Sequence, residues 1–399
     1  MNHVADVKEV QMLHWWTSGG EAAALNVLKQ DLAKQGYAWK DVAVEGGGEA
    51  AMTALEAMVA AGNPPTASQT PGSFAIAYAE AGKLGDITSL AIREGWDKVI
   101  PKALQKFTTT NGKWDAVPVN IHSINWVWIN KAVMDKIGGT EPKTFDEFVA
   151  LLDKARAAGV IPLAFGGQPW QESATFDAVV MSTGGPNFYK KAFIEMDEST
   201  LKSDTMKKAF DNLAKLRTYT DPNYAGRGWS DATAMVIKGD ALVQVMGDWA
   251  KGEFKAANKV AGEDFLCYRF PGTDGSVIYN SDMIAMFDIP ADRRAAQLAL
   301  AGAAMSKSFQ SAFNVLKGSV PARMDVPDTD FDMCGKKGIA DVKAADASGQ
   351  FFGSMAESYA QPPAIARAYS DVVTRFFHGE IKSSDAAVTE LVRALNAAK

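Results

Sequence analysis

The chain has 399 residues, of which 47% are hydrophobic and 22% charged, with a net charge of −6. That length exceeds what one ordinary core serves, so two lobes of a soluble globular protein are expected. The acidic balance excludes a basic stripe for nucleic acid, and no apolar run approaches the roughly 20 residues that span a bilayer.

Residues 1–7 lack a charged-then-apolar secretory segment, so the chain is either cytoplasmic or a mature form whose signal has been removed. Val7 to Trp16 predicts a strand and Glu21 to Gln35 a helix. Asp41 to Glu45 predicts a short strand, and Glu49 to Ala61 a helix that stops at Gly62-Asn63-Pro64-Pro65. This alternation predicts parallel strands with crossover helices, an α/β lobe whose ligands gather at the C-terminal strand ends. At such an end stand Trp15 and Trp16. In a strand only one of two neighbours points into a core. The pair therefore reads either as packing or as indole faces offered to a sugar ring, with Glu21 accepting hydroxyl hydrogen bonds.

Trp114 to His122 turns extended and reads as a crossing between lobes, followed by an apolar, aromatic strand over Asn125 to Asn130. Lys131 to Lys259 is mostly helical, with amphipathic stretches over Thr144 to Ala158 and Thr205 to Tyr219. Phe265 to Phe270 and Val277 to Phe287 return to strand, joined through a Pro271-Gly272-Thr273-Asp274-Gly275 turn. A helix-rich tail runs from Gln350 to Lys399. With neither repeats nor low-complexity linkers, the lobes are expected to meet through several short crossings that allow a hinge.

Several chemistries find little support. Gly46-Gly47-Gly48 precedes a helix, yet neither a Lys-Ser or Lys-Thr pair nor a Gly-x-Gly-x-x-Gly pattern accompanies it, so a tight turn is favoured over a phosphate cradle. The four histidines lack metal-ligand spacing, and no cofactor is expected. A Gly-x-Ser-x-Gly elbow is absent. Glycoside hydrolysis needs only two carboxylates flanking one bond, and Glu21, Asp248, Asp282 and Glu357 are candidates. Acids that accept sugar hydroxyls in a binder look the same. Of the ten tryptophans, Trp170, Trp229 and Trp249 stand in loop-like contexts. The two cysteines, Cys267 and Cys334, form either one long-range disulfide or two buried thiols.

Five segments, taken in order, resemble the extracytoplasmic glucose-binding proteins of bacterial ABC sugar importers, which are related more distantly to maltose-binding protein. They are Trp15-Trp16-Thr17-Ser18-Gly19-Gly20-Glu21, Val117-Pro118-Val119-Asn120-Ile121-His122, Val245-Met246-Gly247-Asp248-Trp249-Ala250, Phe270-Pro271-Gly272-Thr273, and Phe313 to Arg323 with its Lys317-Gly318-Ser319 turn. The resemblance implies a two-lobe α/β periplasmic binding protein that closes by a hinge on a monosaccharide and docks, as a monomer, onto a membrane permease. It implies lobe one over 1–117 and 265–318, and lobe two over 118–264 and 319–399. It places the family's stacking pair on Trp15 and Trp16, its first acid on Glu21, and its amide and acid on Asn280 and Asp282. Its interlobe lysine falls on Lys317, its second-lobe indole on Trp249, and a further pocket position on Gln69. It also implies a Cys267–Cys334 disulfide in a periplasmic protein whose signal peptide is absent here. A glycoside hydrolase using two of the acids is the alternative.

Two departures bear on the ligand. Relatives carry a lysine or histidine two residues after the Gln69 position, where this chain has Pro71, and a histidine where it has Glu357. Proline has neither N–H nor side-chain donor, and an ionised glutamate donates nothing. Two ring-hydroxyl donors are thus replaced by one acceptor. The pocket is therefore expected to suit a sugar of different stereochemistry or one bearing an amine, unless Pro71 and Glu357 point away and water supplies the donors.

Overall fold

The computed structural model describes residues 4–399, which divide into two compact units: 4–122 with 281–331, and 123–280 with 332–399. In unit 1 a five-stranded sheet runs in the order Ala38–Ala43, Glu9–His14, Ala67–Thr70, Met283–Met286, Ala116–Pro118. The first three are parallel and the last two join antiparallel. The two central strands are buried along their whole length, as strands covered on both faces must be. The helix Gly19–Lys34 starts at a capping box, with Ser18 and Glu21 exchanging side-chain and backbone hydrogen bonds. It packs on the helix Lys307–Lys317, which Ser306 caps and Gly318 ends in the left-handed conformation at φ 95°. That stop leaves Lys317, on the buried face of the last turn, at the end of the helix. Gly46 and Gly47, at φ 104° and 92°, form the tight turn expected before the Gly48–Ala60 helix.

Unit 2 is built on a four-stranded sheet in the order Phe265–Arg269, Trp126–Asn130, Ala241–Val245, Ile161–Ala164. The aromatic strand Trp126–Asn130 lies inside it, fully buried and antiparallel to both neighbours. The helix Pro169–Gly184 packs against Asp204–Arg217 and Pro363–Phe377, and Ser384–Ala397 covers the latter two. Cys267 on the sheet is bonded to Cys334 in the first turn of the helix Met333–Ser348, at a sequence separation of 67.

The run Val277 to Phe287, expected as one strand, is two. Val277–Asn280 pairs parallel with Phe351–Gly353 in unit 2, whereas Met283–Met286 enters the sheet of unit 1. The break is made by side chains: Ser281 Oγ donates to Asn120 O at 2.6 Å, and Asp282 N–H donates to Asn120 Oδ1 at 2.7 Å. The unit boundaries consequently differ from the expected ones. Residues 265–280 belong to unit 2, because Phe265–Arg269 pairs with Trp126–Asn130, and 319–331 stay with unit 1. Unit 1 likewise runs on through 118–122.

Within unit 2, Asp177 gathers the segment that carries Glu357. Tyr369 Oη and Ser354 Oγ each donate to its carboxylate at 2.6 Å, and Ala356 N–H donates at 3.1 Å. Burial pushes the Asp177 carboxyl up to about 7, against the pull of these donors. The folded chain therefore binds more protons than the unfolded chain between about pH 4 and 7. This group's contribution to stability is present below that window and lost as pH rises through it. Asp177→Asn is expected to flatten the slope of unfolding free energy against pH there; parallel slopes in denaturant titrations would contradict this.

Candidate functional site

The strand Glu9–His14 ends at the two tryptophans, and side chains hold both of their amides. Trp15 N–H donates to Gln69 Oε1 at 3.0 Å and Trp16 N–H to His14 Nδ1 at 3.1 Å, while Thr17 N–H closes a turn onto Trp15 O at 3.0 Å. The two indoles part company here. Trp16 is only 1% exposed and meets Phe313 edge-on with ring centroids 5.3 Å apart, so it is a core residue. Trp15 is half-buried against the cluster of Leu13, Met52 and Leu55, and a Cβ at Gly48 would lie 3.3 Å from its ring.

Beside this turn lies a buried polar network centred on Asp282. Gln69 Nε2 donates to Oδ1 at 2.9 Å; Asn120 Nδ2 and His122 Nε2 donate to Oδ2 at 2.8 and 2.7 Å. Lys317 Nζ stands 4.0 Å from Oδ2 and 3.3 Å from Glu21 Oε2. Asn120 also donates to Ser319 Oγ, which itself donates to Asn314. Burial alone would raise the Asp282 carboxyl, but the charges of His122 and Lys317 and the donors His122 and Asn120 hold it well below the usual carboxylate range. Asp282 is thus an ionised acceptor at every physiological pH. Glu21 has a second task, since its Oε1 accepts Ser18 N–H at 3.4 Å to cap the helix. Two carboxylates and one ammonium ion, set in a buried frame, are groups that take ring hydroxyls by charge-assisted hydrogen bonds.

Of the expected site residues, the structure brings together Glu21, Gln69, Asp282 and Lys317, with Trp15 tied in through Gln69. Pro71 ends the Ala67–Thr70 strand and opens the helix Gly72–Glu80. Trp249, Asn280 and Glu357 belong to unit 2. Trp249 stands 6.2 Å from Trp170, ring to ring, before the helix Ala250–Ala256. Asn280 closes its strand with a buried Oδ1 that no donor among the described residues meets. Glu357 N–H donates to Ser354 Oγ at 3.0 Å. Asn120 and His122 were not expected at the site. Their spacing was the available signal, because residues two apart on an extended segment share a face.

A hydrolytic acid needs a raised pKa, and Asp282 has the opposite. Among the described residues the carboxyls pushed up to about 7 are Asp115, Glu172 and Asp177, each raised by burial.

Comparison with known proteins agrees. The model of the bacterial extracellular solute-binding protein family matches residues 16–301. A probable sugar-binding periplasmic protein of Mesorhizobium japonicum is 74% identical over 398 residues, covering 100% of this chain and 95% of the relative. A protein of the same description from Brucella melitensis is 58% identical over 403 residues, with coverage of 100% and 95%. Among solved structures, a chitin oligosaccharide binding protein superposes with a TM-score of 0.82 at 18% identity over 98% of both chains. The solute receptor AcbH, described as having an exclusive preference for β-D-galactopyranose, gives 0.79 at 18% identity over 98% of both chains. These likenesses show a shared fold. The hydrolase alternative falls with them, since the family and the relatives are solute-binding proteins. The chain belongs to the bacterial extracellular solute-binding protein family, and it is a periplasmic binding protein rather than an enzyme.

Proposed function

We propose that the protein captures a monosaccharide, an aldohexose or close variant, and delivers it to the permease of an ABC importer. The observation that carries this reading is the buried Asp282, Lys317 and Glu21 constellation beside Trp15. Asp282 and Glu21 accept hydroxyl protons, Lys317 donates to a ring or hydroxyl oxygen, and Trp15 offers an apolar face to the C–H side of the ring. More distant relatives point to simple sugars: the xylose/arabinose-binding protein XacG of Haloferax volcanii is 25% identical, and the glucose-binding protein GlcS of Saccharolobus solfataricus is 24% identical.

Pro71 and Glu357 favour a sugar other than plain glucose. A ligand with an amine, or with an epimeric hydroxyl that donates, satisfies the Glu357 carboxylate, whereas a site deprived of two donors leaves glucose oxygens unmet. Competition among glucose, its epimers, pentoses and glucosamine tests this. Glucose binding at least as tightly as every other sugar would sink the specificity proposal.

The test of the binding site itself is the pair Trp15→Ala and Lys317→Met, assayed calorimetrically. Loss of the ring contact is expected to weaken affinity about tenfold, the equivalent of one stacked aromatic face. Removal of the ammonium group, which leaves Glu21 and Asp282 facing each other, is expected to weaken it at least a hundredfold. Unchanged affinity in both variants would move the ligand elsewhere.

A further inference from the structure

One buried ionisable group beside the site has no part in the sugar contacts just described. His14, 2% exposed, closes the Glu9–His14 strand immediately before the tandem tryptophans. Its two ring nitrogens have different partners. Nδ1 accepts Trp16 N–H at 3.1 Å, which assigns the proton to Nε2, and Nε2–H donates to Asp41 Oδ1 at 2.6 Å. Asp41 is fixed in turn by Trp39 Nε1 at 2.9 Å and by Lys29 Nζ 3.7 Å from its other oxygen. The ring also stacks on Trp16, with centroids 6.1 Å apart.

The adjacent amide gives this arrangement its reach. Trp15 N–H rests on Gln69 Oε1, and the other end of the Gln69 amide donates to Asp282. The turn that presents Trp15 is therefore held by two side chains, Gln69 toward the polar network and His14 toward Asp41. We propose that His14 is a positioning residue for the sugar site, locking the Trp15–Trp16 turn through its unprotonated Nδ1, so that ligand affinity weakens when the ring takes up a second proton. This inference rests on the sugar-binding reading.

A doubly protonated imidazole has no acceptor, so Trp16 N–H would face another N–H and the turn would have to move. Burial holds the ring in its neutral form by lowering its pKa, Asp41 and Glu21 work against that effect, and Lys29 adds to it. The other elements packed on the strand add little. Ser68 and Gln69 do not titrate, Glu49 and Glu56 are exposed, and Arg294 donates to Asp86 O. Lys317 is engaged with Glu21 and Asp282.

The experiment has two arms on the intact chain. In the first, ¹⁵N-labelled wild-type protein without ligand is titrated from pH 8 to pH 5 by NMR. The Trp16 amide is expected to shift with the same midpoint as the His14 ring nitrogens. In the second, sugar affinity is measured across the same range for wild type, His14→Asn and His14→Ala, with glucose, galactose, xylose and glucosamine as probes. Asparagine keeps an acceptor near Nδ1 but cannot ionise. It is expected to bind within about threefold of wild type at pH 8 and to be flat with pH, whereas wild type weakens about tenfold on acidification and alanine is about tenfold weaker throughout. A purely structural role would lower stability without separating the pH profiles of wild type and asparagine variant. Parallel profiles, or a Trp16 amide indifferent to His14 protonation, would overturn the proposal. If no probe binds wild type, the binding reading fails on its own, and the NMR arm still decides whether His14 holds the turn.

Discussion

Asp282→Ala is expected to abolish measurable sugar binding and to lower the melting temperature of unit 1 by roughly 10 °C. Its carboxylate accepts from Gln69, Asn120 and His122 and sits 4.0 Å from Lys317. Alanine strands three buried donors and leaves Lys317, 3% exposed, with Glu21 as its neighbouring anion. Breaking a buried charged group out of such a frame costs about 3–5 kcal/mol, which is more than a hundredfold in affinity if even most of it falls on the ligand-bound state. Asp282→Asn is no remedy, because one amide oxygen cannot meet donors on both sides while its NH₂ faces one of them. The depressed pKa has a further consequence. Between the folded value and the ordinary one the unfolded chain binds the extra proton, so the stabilisation by Asp282 is complete above about pH 4 and lost as pH falls below it. Thermal melts of wild type and variant at pH 7 and pH 3 check both statements. A variant that melts and binds like wild type at pH 7 would contradict them.

Replacing Cys267 and Cys334 together by alanine is expected to cost unit 2 about 4 kcal/mol, the chain-entropy value for a loop of this length. The bond closes a 67-residue separation and fastens the first turn of the Met333–Ser348 helix to the sheet. A second tie lies beside it: Lys251 Nζ, almost fully buried, meets Asp332 Oδ2 at 3.1 Å, and Asp332 caps the same helix by accepting Gly335 N–H. With the disulfide gone, this ion pair and the one between Arg269 Nε and Asp341 Oδ2, at 2.8 Å, still tie the helix into unit 2. For a unit of this size the loss corresponds to roughly 10 °C in melting temperature. Denaturant unfolding of the double variant, and of wild type with and without reductant, measures it. A loss below about 1 kcal/mol would mean that the reduced unfolded chain is already compact.

The N-terminal alternation was legible because each element carries its own signal. The strand into His14, the helix opening at Ser18 and the glycine turn before Gly48 lie within two or three residues of expectation. The network was not legible from spacing. Gln69 and Asp282 are 213 residues apart, and their hydrogen bond is made by strand pairing that no local pattern encodes. Gln69 and Lys317 came from family resemblance alone, whereas Glu21 and Asp282 were already candidate acids that the resemblance then assigned to the ligand. Asn120 and His122 escaped because polar residues in an extended segment look like a loop, although both are almost fully buried. The break at Ser281 escaped for a related reason. The apolar runs Val277 to Tyr279 and Met283 to Phe287 were joined across Asn280-Ser281-Asp282, and the side chain that redirects the chain there, Asn120, is 162 residues away from Asp282. Trp16 shows the limit of composition: an indole suited to a sugar face is equally suited to a core, and Phe313 decides which.

The most direct test of the central claim is isothermal titration of the wild-type chain with a panel of glucose, galactose, mannose, glucosamine, xylose, arabinose and a few disaccharides, with mass spectrometry of the mixtures afterward. The account predicts one-to-one, saturable binding of at least one monosaccharide at about micromolar Kd, near −8 kcal/mol, with the sugar recovered intact. No heat from any sugar, or a product that accumulates with time, would contradict it.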